Sequence, residues 1–360
     1  MEIKAGRKPG LARTVGRTAL LAVGAITGAL AGAEQARAQE ERDEIIVTAQ
    51  RREQAIQDVP IAINAFNAEQ LEEANIGDVS DLQVITPSLF VNTTGSAASD
   101  ATIRIRGVGT TGNNAGLEGA VGVFIDGVYR NRSGMALGQL TDVERIEVLR
   151  GPQSTLFGKN TSAGALSIIT RAPDFASVSA GGSMTFGDPD VLGMTGYVNL
   201  PVADNLALRF TGAADSREGY IENRNTGAQN QDVDRWFVRG QALWDMNTDA
   251  SFRLIVDYSE INNNGNTAVR ARHAGARAAT INIIETNAGL SPTAAGTFDS
   301  NSLNGDPNNQ AEDFGISGEL NWDLSPSVTL TNITAYRDYN RANAGDTDFT
   351  GADRAIAESW

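Results

Sequence analysis

Residues 101–171 read ATIRIRGVGTTGNNAGLEGAVGVFIDGVYRNRSGMALGQLTDVERIEVLRGPQSTLFGKNTSAGALSIITR. Four short strand-like runs stand out in this stretch: Thr102–Arg106, Val121–Asp126, Val143–Leu149 and Ala165–Thr170. Each is rich in β-branched residues and is bounded by Gly, Asn, Pro or Ser, the residues that punctuate strands. Arg104, Arg106, Arg145 and Arg150 stand at or near the run ends. Such a segment makes a small mixed sheet with projecting arginines, too little to bury a large core alone.

Composition narrows what the rest can be. The 360 residues carry 29 Lys+Arg against 44 Asp+Glu, a formal charge of −15. Duplex nucleic acid wants a basic face, so it is not the expected partner. Cysteine is absent, which excludes disulfides and thiolate metal sites. His273 is the single histidine and sits in an Arg/Ala/Gly-rich stretch, so a Ser-His-Asp system or a multi-histidine metal centre is not expected. Paired carboxylates such as Glu144 and Glu147 read as solvated charges. No acid/base constellation points to an enzyme, and no cofactor is implied. Gly107-Val-Gly109-Thr-Thr-Gly112 fits a dinucleotide fingerprint, but the residues after it leave no room for the helix those glycines must open. Gly158-Lys159 lacks the upstream glycine and the Ser/Thr of a phosphate loop.

Residues 1–38 have the layout of a secretory signal. Lys4, Arg7, Lys8, Arg13 and Arg17 form the basic start, an apolar run follows from Thr18 to Ala33, and Ala36-Arg-Ala38 is the small-x-small cleavage site. The apolar run is shorter than the roughly 20 residues a spanning helix needs. Next, Ile45-Ile-Val-Thr48 forms a strand former with charges on both sides. It has no evident local partner: an unpaired strand can add to the edge of another protein's sheet, and the alternative is that it forms the first strand of the domain itself. From Val59 to Phe66 a strand is expected. Asn67 is placed to cap a helix over Ala68–Ala74, and a second short helix over Asp78–Val84 is stopped by Pro87.

After Pro173 the texture changes. Alternating runs recur around residues 178–186, 192–200, 206–211, 236–244, 252–259, 314–322 and 328–339. Such strands, apolar on one face and polar on the other, suit a membrane barrel with a wet interior. Trp236 and Trp244 share a face eight residues apart, roughly 20 Å in a tilted strand, close to the spacing of aromatic girdles. The other face carries Arg209, Arg239, Arg253, Asp257 and Glu319, too charged for a sandwich core. Connections alternate short and long from the second strand onward.

The motifs IRIRG, VGVFIDGVY and ERIEVLRGPQSTLFGKNTSAGALSIITR resemble the plug domain of TonB-dependent outer-membrane receptors, nearly without gaps. The resemblance implies an α+β plug domain over residues 57–173, followed by an antiparallel transmembrane β-barrel from residue 174. About seven strands are legible, against the roughly 22 of plugged transporters, so the chain reads as the N-terminal part of a longer receptor. Asp43-Glu-Ile-Ile-Val-Thr-Ala49, within a 39–56 box-and-linker segment, resembles the TonB box: Asp43, Glu44, Ile45, Ile46, Val47, Thr48 and Ala49. That box is the segment gripped by the TonB C-terminal domain of the inner-membrane energising complex. Arg106 and Arg150 resemble plug arginines that lock onto barrel glutamates. Thr93, Thr94, Ser96, Thr110, Thr111, Asn113 and Asn114 fall in the expected substrate-facing plug loops. The implied function is energised uptake of a scarce solute across the cell outer membrane, a ferric siderophore first, with cobalamin, a glycan or another organic solute as alternatives. A secreted adhesin or structural β-protein explains the export signal and the alternation, but not the box and plug together.

Overall fold

The computed structural model describes residues 45–48, 52, 54–93, 101–109, 118–132, 134, 140–188, 190–264, 286, 300–301, 306–346 and 356–359. The export-signal region, Asp43, Glu44, Ala49 and His273 lie outside them.

The described part opens on a surprise. β1 (Ile46–Val47) is paired antiparallel with β2 (Gln54–Ala55), Val47 facing Gln54. The strand read as lacking a local partner has one in its own linker, because Val47 is driven into an apolar cluster and is 0% exposed. A 3-10 turn over Ile56–Asp58 leads to β3 (Ile63–Asn67). This strand starts four residues later than expected; Pro60, within the expected run, has no N–H to give to a ladder. Asn67 caps α1 (Ala68–Glu73) in a capping box: its side chain accepts from the Gln70 N–H, and the Gln70 side chain accepts from the Asn67 N–H. A second 3-10 turn over Val79–Asp81 and α2 (Leu82–Ile85) follow, their start marked by the Asp78 cap.

β4 (Leu89–Thr93), β5 (Ala101–Ile105) and β6 (Val108–Gly109) form a three-stranded antiparallel sheet. β7 (Val121–Ile125), β8 (Val128–Arg130), β9 (Val143–Arg150) and β10 (Gly164–Thr170) join β3 in a five-stranded sheet of order β3-β9-β10-β7-β8, with α3 (Ser154–Phe157) between β9 and β10. Only β7 and β10 run parallel. Asp126 and Gly127 close the β7–β8 hairpin with φ of 47° and 75°, the paired positive values of a tight hairpin turn. Every residue of β7 is buried, and Ile146, Val148, Leu149, Leu166 and Ile168 are each 0% exposed. Gly164 holds the β9–β10 crossing: its φ is +153°, and an added Cβ would meet the Leu149 carbonyl at 2.4 Å.

The remainder is an eight-stranded antiparallel sheet. Its members in chain order are β11 (Ser179–Gly187), β12 (Val191–Ala203), β13 (Leu206–Arg217), β16 (Val233–Asn247), β17 (Ala250–Asn263), β19 (Asn308–Ser325), β20 (Val328–Asp346) and β21 (Ile356–Ser359). The long connections carry β14 (Ile221–Asn223), β15 (Gln229–Asn230) and β18 (Ser300–Asn301), a small satellite sheet. The seven expected strands are all present, and β21 is an eighth, paired to β20 from Asn343 to Asp346. Among the described residues β11 and β21 do not pair, so the sheet is an arc. β19 and β20 have 18 and 19 residues, more than the ~9–11 that cross a bilayer. The surplus is polar: Asn308–Asp313 faces Tyr339–Ala344, and the apolar band begins at Phe314 and Tyr336. Phe186, Phe210, Trp236, Trp244, Phe314, Trp322 and Tyr336 all present exposed side chains, as a lipid-facing belt does.

Leu166 lies at the centre of the five-stranded core. Leu166→Ala removes buried methyl groups that the sheet cannot collapse around and is expected to cost about 2–5 kcal/mol. Accelerated hydrogen exchange of β10 amides, with β13 and β16 unchanged, checks it.

Candidate functional site: the plug–wall contact and the N-terminal strand

The inward face of the eight-stranded wall is charged because alternate residues of each strand point there. Arg209, Arg239 and Asp257 are nevertheless 2%, 4% and 6% exposed. A buried charge needs a partner, and here the α+β unit supplies it. Arg209 grips Asp142 with two bonds, Nε to Oδ2 at 2.7 Å and Nη2 to Oδ1 at 2.6 Å. Thr211 donates to the same carboxylate at 2.6 Å, and Tyr197 lies under the guanidinium, 4.2 Å away. Burial by itself would raise the Asp142 pKa, but Arg209 and Thr211 outweigh it and hold the carboxyl below its ordinary 3.8. Arg239 donates to the Thr141 carbonyl at 2.8 Å. Arg253 donates to Thr170 Oγ1 at 2.9 Å and lies 3.5 Å from Asp126. Asp126 in turn accepts from the Thr170 N–H and hydroxyl at 2.9 and 2.7 Å, which ties the β7–β8 turn to the end of β10.

The polarity reverses one step along. Arg130 of β8 reaches Asp257 at 3.6 Å and Asp313 at 3.5 Å. Arg337 of β20 holds the same two carboxylates, at 2.8 and 2.6 Å. A cavity of about 10 Å³, room for one water, is lined here by Asp126, Arg130, Arg239, Asp257 and Arg337. Among the described residues, the Nε atoms of Arg130 and Arg239 have no hydrogen-bond partner. Asn199 donates to the Asp174 and Ser177 carbonyls, and Arg235 spans Asp215 and Asp78.

The expected arginines are placed differently. Arg106 is exposed at the β5–β6 turn with φ of 55°, its N–H donating to the Ser88 carbonyl. Arg150 ends β9, its N–H donating to the Ala62 carbonyl and its buried Nε without a hydrogen-bond partner among the described residues. Neither makes an ion pair among the described residues. The plug's charged groups that do pair with the wall are Asp78, Asp126, Arg130 and Asp142, which sequence reasoning did not place there. Asp126 was read only as the end of a strand run; its pairing with a wall arginine is a long-range fact that no local pattern carries. Of the expected loop residues, Thr93 closes β4, while Thr94, Ser96, Thr110, Thr111, Asn113 and Asn114 lie outside the described residues.

Of the expected box, Ile45, Ile46, Val47 and Thr48 are described. Val47 packs with Val59, Ala65, Phe124, Leu149, Phe157 and Ala165. The Thr48 N–H donates to Glu147 Oε1 at 2.8 Å. Arg145 donates to the same oxygen at 2.9 Å, and pairs with Glu144 on its other side. Glu147, read from the sequence as a solvated charge, is 0% exposed. The correction has a local cause: Glu147 alternates with Leu149 onto the β9 face that the N-terminal strand covers, where Arg145 and Thr48 satisfy it.

Residues 55–165 match the family described as the TonB-dependent Receptor Plug Domain. The pesticin receptor of Yersinia pestis is 30% identical over 152 residues, covering 42% of this chain and 22% of the relative. The iron-regulated outer membrane virulence protein of Vibrio cholerae is 35% identical over 139 residues, covering 35% of this chain and 20% of the relative. The crystal structure of the ferric yersiniabactin uptake receptor from Yersinia pestis matches with a TM-score of 0.65 at 19% identity, over 80% of this chain and 42% of that one. The ferripyoverdine receptor of Pseudomonas aeruginosa matches with a TM-score of 0.62 at 14% identity, over 84% of this chain and 38% of that one. Residues 55–165 are thus a TonB-dependent receptor plug domain, and the eight-stranded sheet after it has the fold of the barrel wall in the solved receptors. It spans about a fifth of the curated relatives' length and two-fifths of the solved receptors'.

Asp142 gives the plug–wall contact a definite acid limit. A carboxyl with a lowered folded pKa contributes stability above its unfolded value and loses it as pH falls through the folded one. Plug attachment through Asp142 is therefore expected to persist in mild acid and to be lost only below pH 3.8. Asp142→Asn removes that transition and, by leaving Arg209 buried without its carboxylate, costs about 3–5 kcal/mol at neutral pH. Urea titrations of plug release across pH in the two proteins read both effects.

Proposed function

We propose that the receptor takes up a scarce solute across the outer membrane, with a ferric siderophore as cargo and force from the inner membrane as the driver. The observation that carries this reading is a folded plug ion-paired to the inside of a lipid-facing β-wall. A plugged barrel is closed to diffusion, so passage needs the plug to be displaced, and displacement needs work. The iron-linked names of the relatives favour iron: a ferric yersiniabactin uptake receptor and an iron-regulated virulence protein. Cobalamin, a glycan or another organic solute is the second choice of cargo. Residues 1–38 serve as the export signal.

In this reading the solute binds from outside against the plug loops that contain Thr93, Thr94, Ser96, Thr110, Thr111, Asn113 and Asn114. Asp43–Ala49 is the TonB box, and the TonB C-terminal domain takes hold of it by adding a strand along its backbone. The pull then passes through residues 48–62 to β3, the edge strand of the plug sheet. Arg106 and Arg150 are the plug arginines that lock onto barrel glutamates, although neither makes an ion pair among the described residues. Arginine suits that task because its planar fork holds a carboxylate with two bonds and keeps its charge.

Thr48→Pro tests the assignment in the full-length receptor. Proline removes a ladder donor, so proton-gradient-driven accumulation of radio-iron, offered as catecholate, hydroxamate and phenolate siderophore complexes, should fall to the level of cells lacking TonB. Binding to the cell surface should stay within about twofold of wild type. Wild-type accumulation by this variant would overturn the box assignment.

A further inference from the structure

The N-terminal strand offers two hydrogen-bonding edges, since successive residues of a strand turn their N–H and C=O groups to opposite sides. One edge is occupied by the linker: Ile46 and Val47 pair with Ala55 and Gln54, and the Ile45 carbonyl accepts from the Ile56 N–H at 3.0 Å. Thr48 stands three residues beyond Ile45, so its N–H belongs to the other edge. That N–H is taken by Glu147 Oε1 at 2.8 Å. The Thr48 hydroxyl lies 3.3 Å from the same oxygen and 3.3 Å from Arg145 Nη2.

We propose that Glu147 is the gate on the free edge of this strand: its carboxylate fills the place a partner strand's carbonyl would take. The inference rests on reading residues 43–49 as the TonB box. Three features favour a gate over a plain structural bond. Glu147 is 0% exposed and rises from β9, a central strand of the plug, so its position is fixed by the core and not by the linker. Its Oε2 has no hydrogen-bond partner among the described residues, so this carboxylate is held on one side only. And Arg145, 2.9 Å from Oε1, keeps Glu147 neutralised when Thr48 departs. Opening therefore leaves no buried charge unpaired, the outcome that makes breaking most buried pairs prohibitive. Val47, packed beneath, supplies the apolar part of the hold. The resting plug is thus held in a state in which strand addition has no open edge. Anything that shifts β9 or turns Arg145 away opens one.

The experiment uses the full-length receptor in lipid nanodiscs, without solute, as wild type, Glu147→Ala and Glu147→Gln. Hydrogen exchange of the amides at residues 46–48 is read alongside binding of a purified TonB C-terminal domain. Glu147→Ala should speed exchange at Thr48 at least tenfold and tighten binding of the domain about tenfold, with the protection of Leu166 and Ile168 in β10 unchanged. Glu147→Gln keeps an oxygen for the Thr48 N–H but loses the charge, so it should fall between the two. It also carries the test if the alanine variant does not fold. Unchanged exchange at Thr48 in a folded variant overturns the gate and leaves the box assignment standing. Faster exchange with no binding of the TonB domain to any of the three proteins overturns the box assignment, and the gate with it.

Discussion

The wall can afford its inward arginines only because the plug answers them. Arg209, Arg239 and Arg253 sit on successive strands, each facing a side where bulk water is displaced by the plug. Exposed, such residues would be ordinary lumen charges. Buried, each must find a carboxylate or carbonyl. Asp142, Thr141, Thr170 and Asp126 meet that demand at the ends of β9, β10 and the β7–β8 turn. The requirement runs both ways, since Arg130 of the plug depends on Asp257 and Asp313 of the wall. The fit fixes the plug's height and rotation, because a one-residue slip along any wall strand would turn its charge to the lipid side.

The legible and illegible parts of this fold divide along one line. Period-two alternation is local, so the wall strands could be read from it, and so could the belt of outward aromatics. The capping box at Asn67 and Gln70 is likewise written within a few residues. Pairings across long sequence distance are not. Glu147 bonds a residue 99 positions away, and Asp142 is held by one 67 positions on. Nothing in VERIEV distinguishes a carboxylate that will be covered from one that will be solvated, since alternation places Glu147 on a face but does not say what lies over it. The same limit accounts for the N-terminal strand. A strand-forming run flanked by charge is legible, but whether its own linker folds back on it depends on an apolar cluster assembled from β3, β7, β9 and β10.

The two sets of contacts differ in what they can withstand. The plug–wall contact is spread over several strands and includes a two-bond arginine–carboxylate grip whose side chains are 3% exposed. Contacts of this kind, closed to water, are lost singly at high cost. The N-terminal strand is held by a two-residue ladder, one buried valine and one carboxylate. Its hold is short, so its release costs little ordering elsewhere.

That difference sets the order of events when the chain is drawn from its N-terminal end. The load meets β1 first, and next β3, an edge strand of five residues paired to β9 alone. β8, at the opposite edge of the same sheet, carries Arg130 into the wall, and the β7–β8 turn carries Asp126 there. The sheet therefore has its short N-terminal attachment at the loaded edge, while the far edge is tied to the wall through Arg130 and Asp126. With such an arrangement a plug can yield in part without leaving the wall, since each ladder bond at β3 is met in turn while the ion pairs at β8 share their load across several strands.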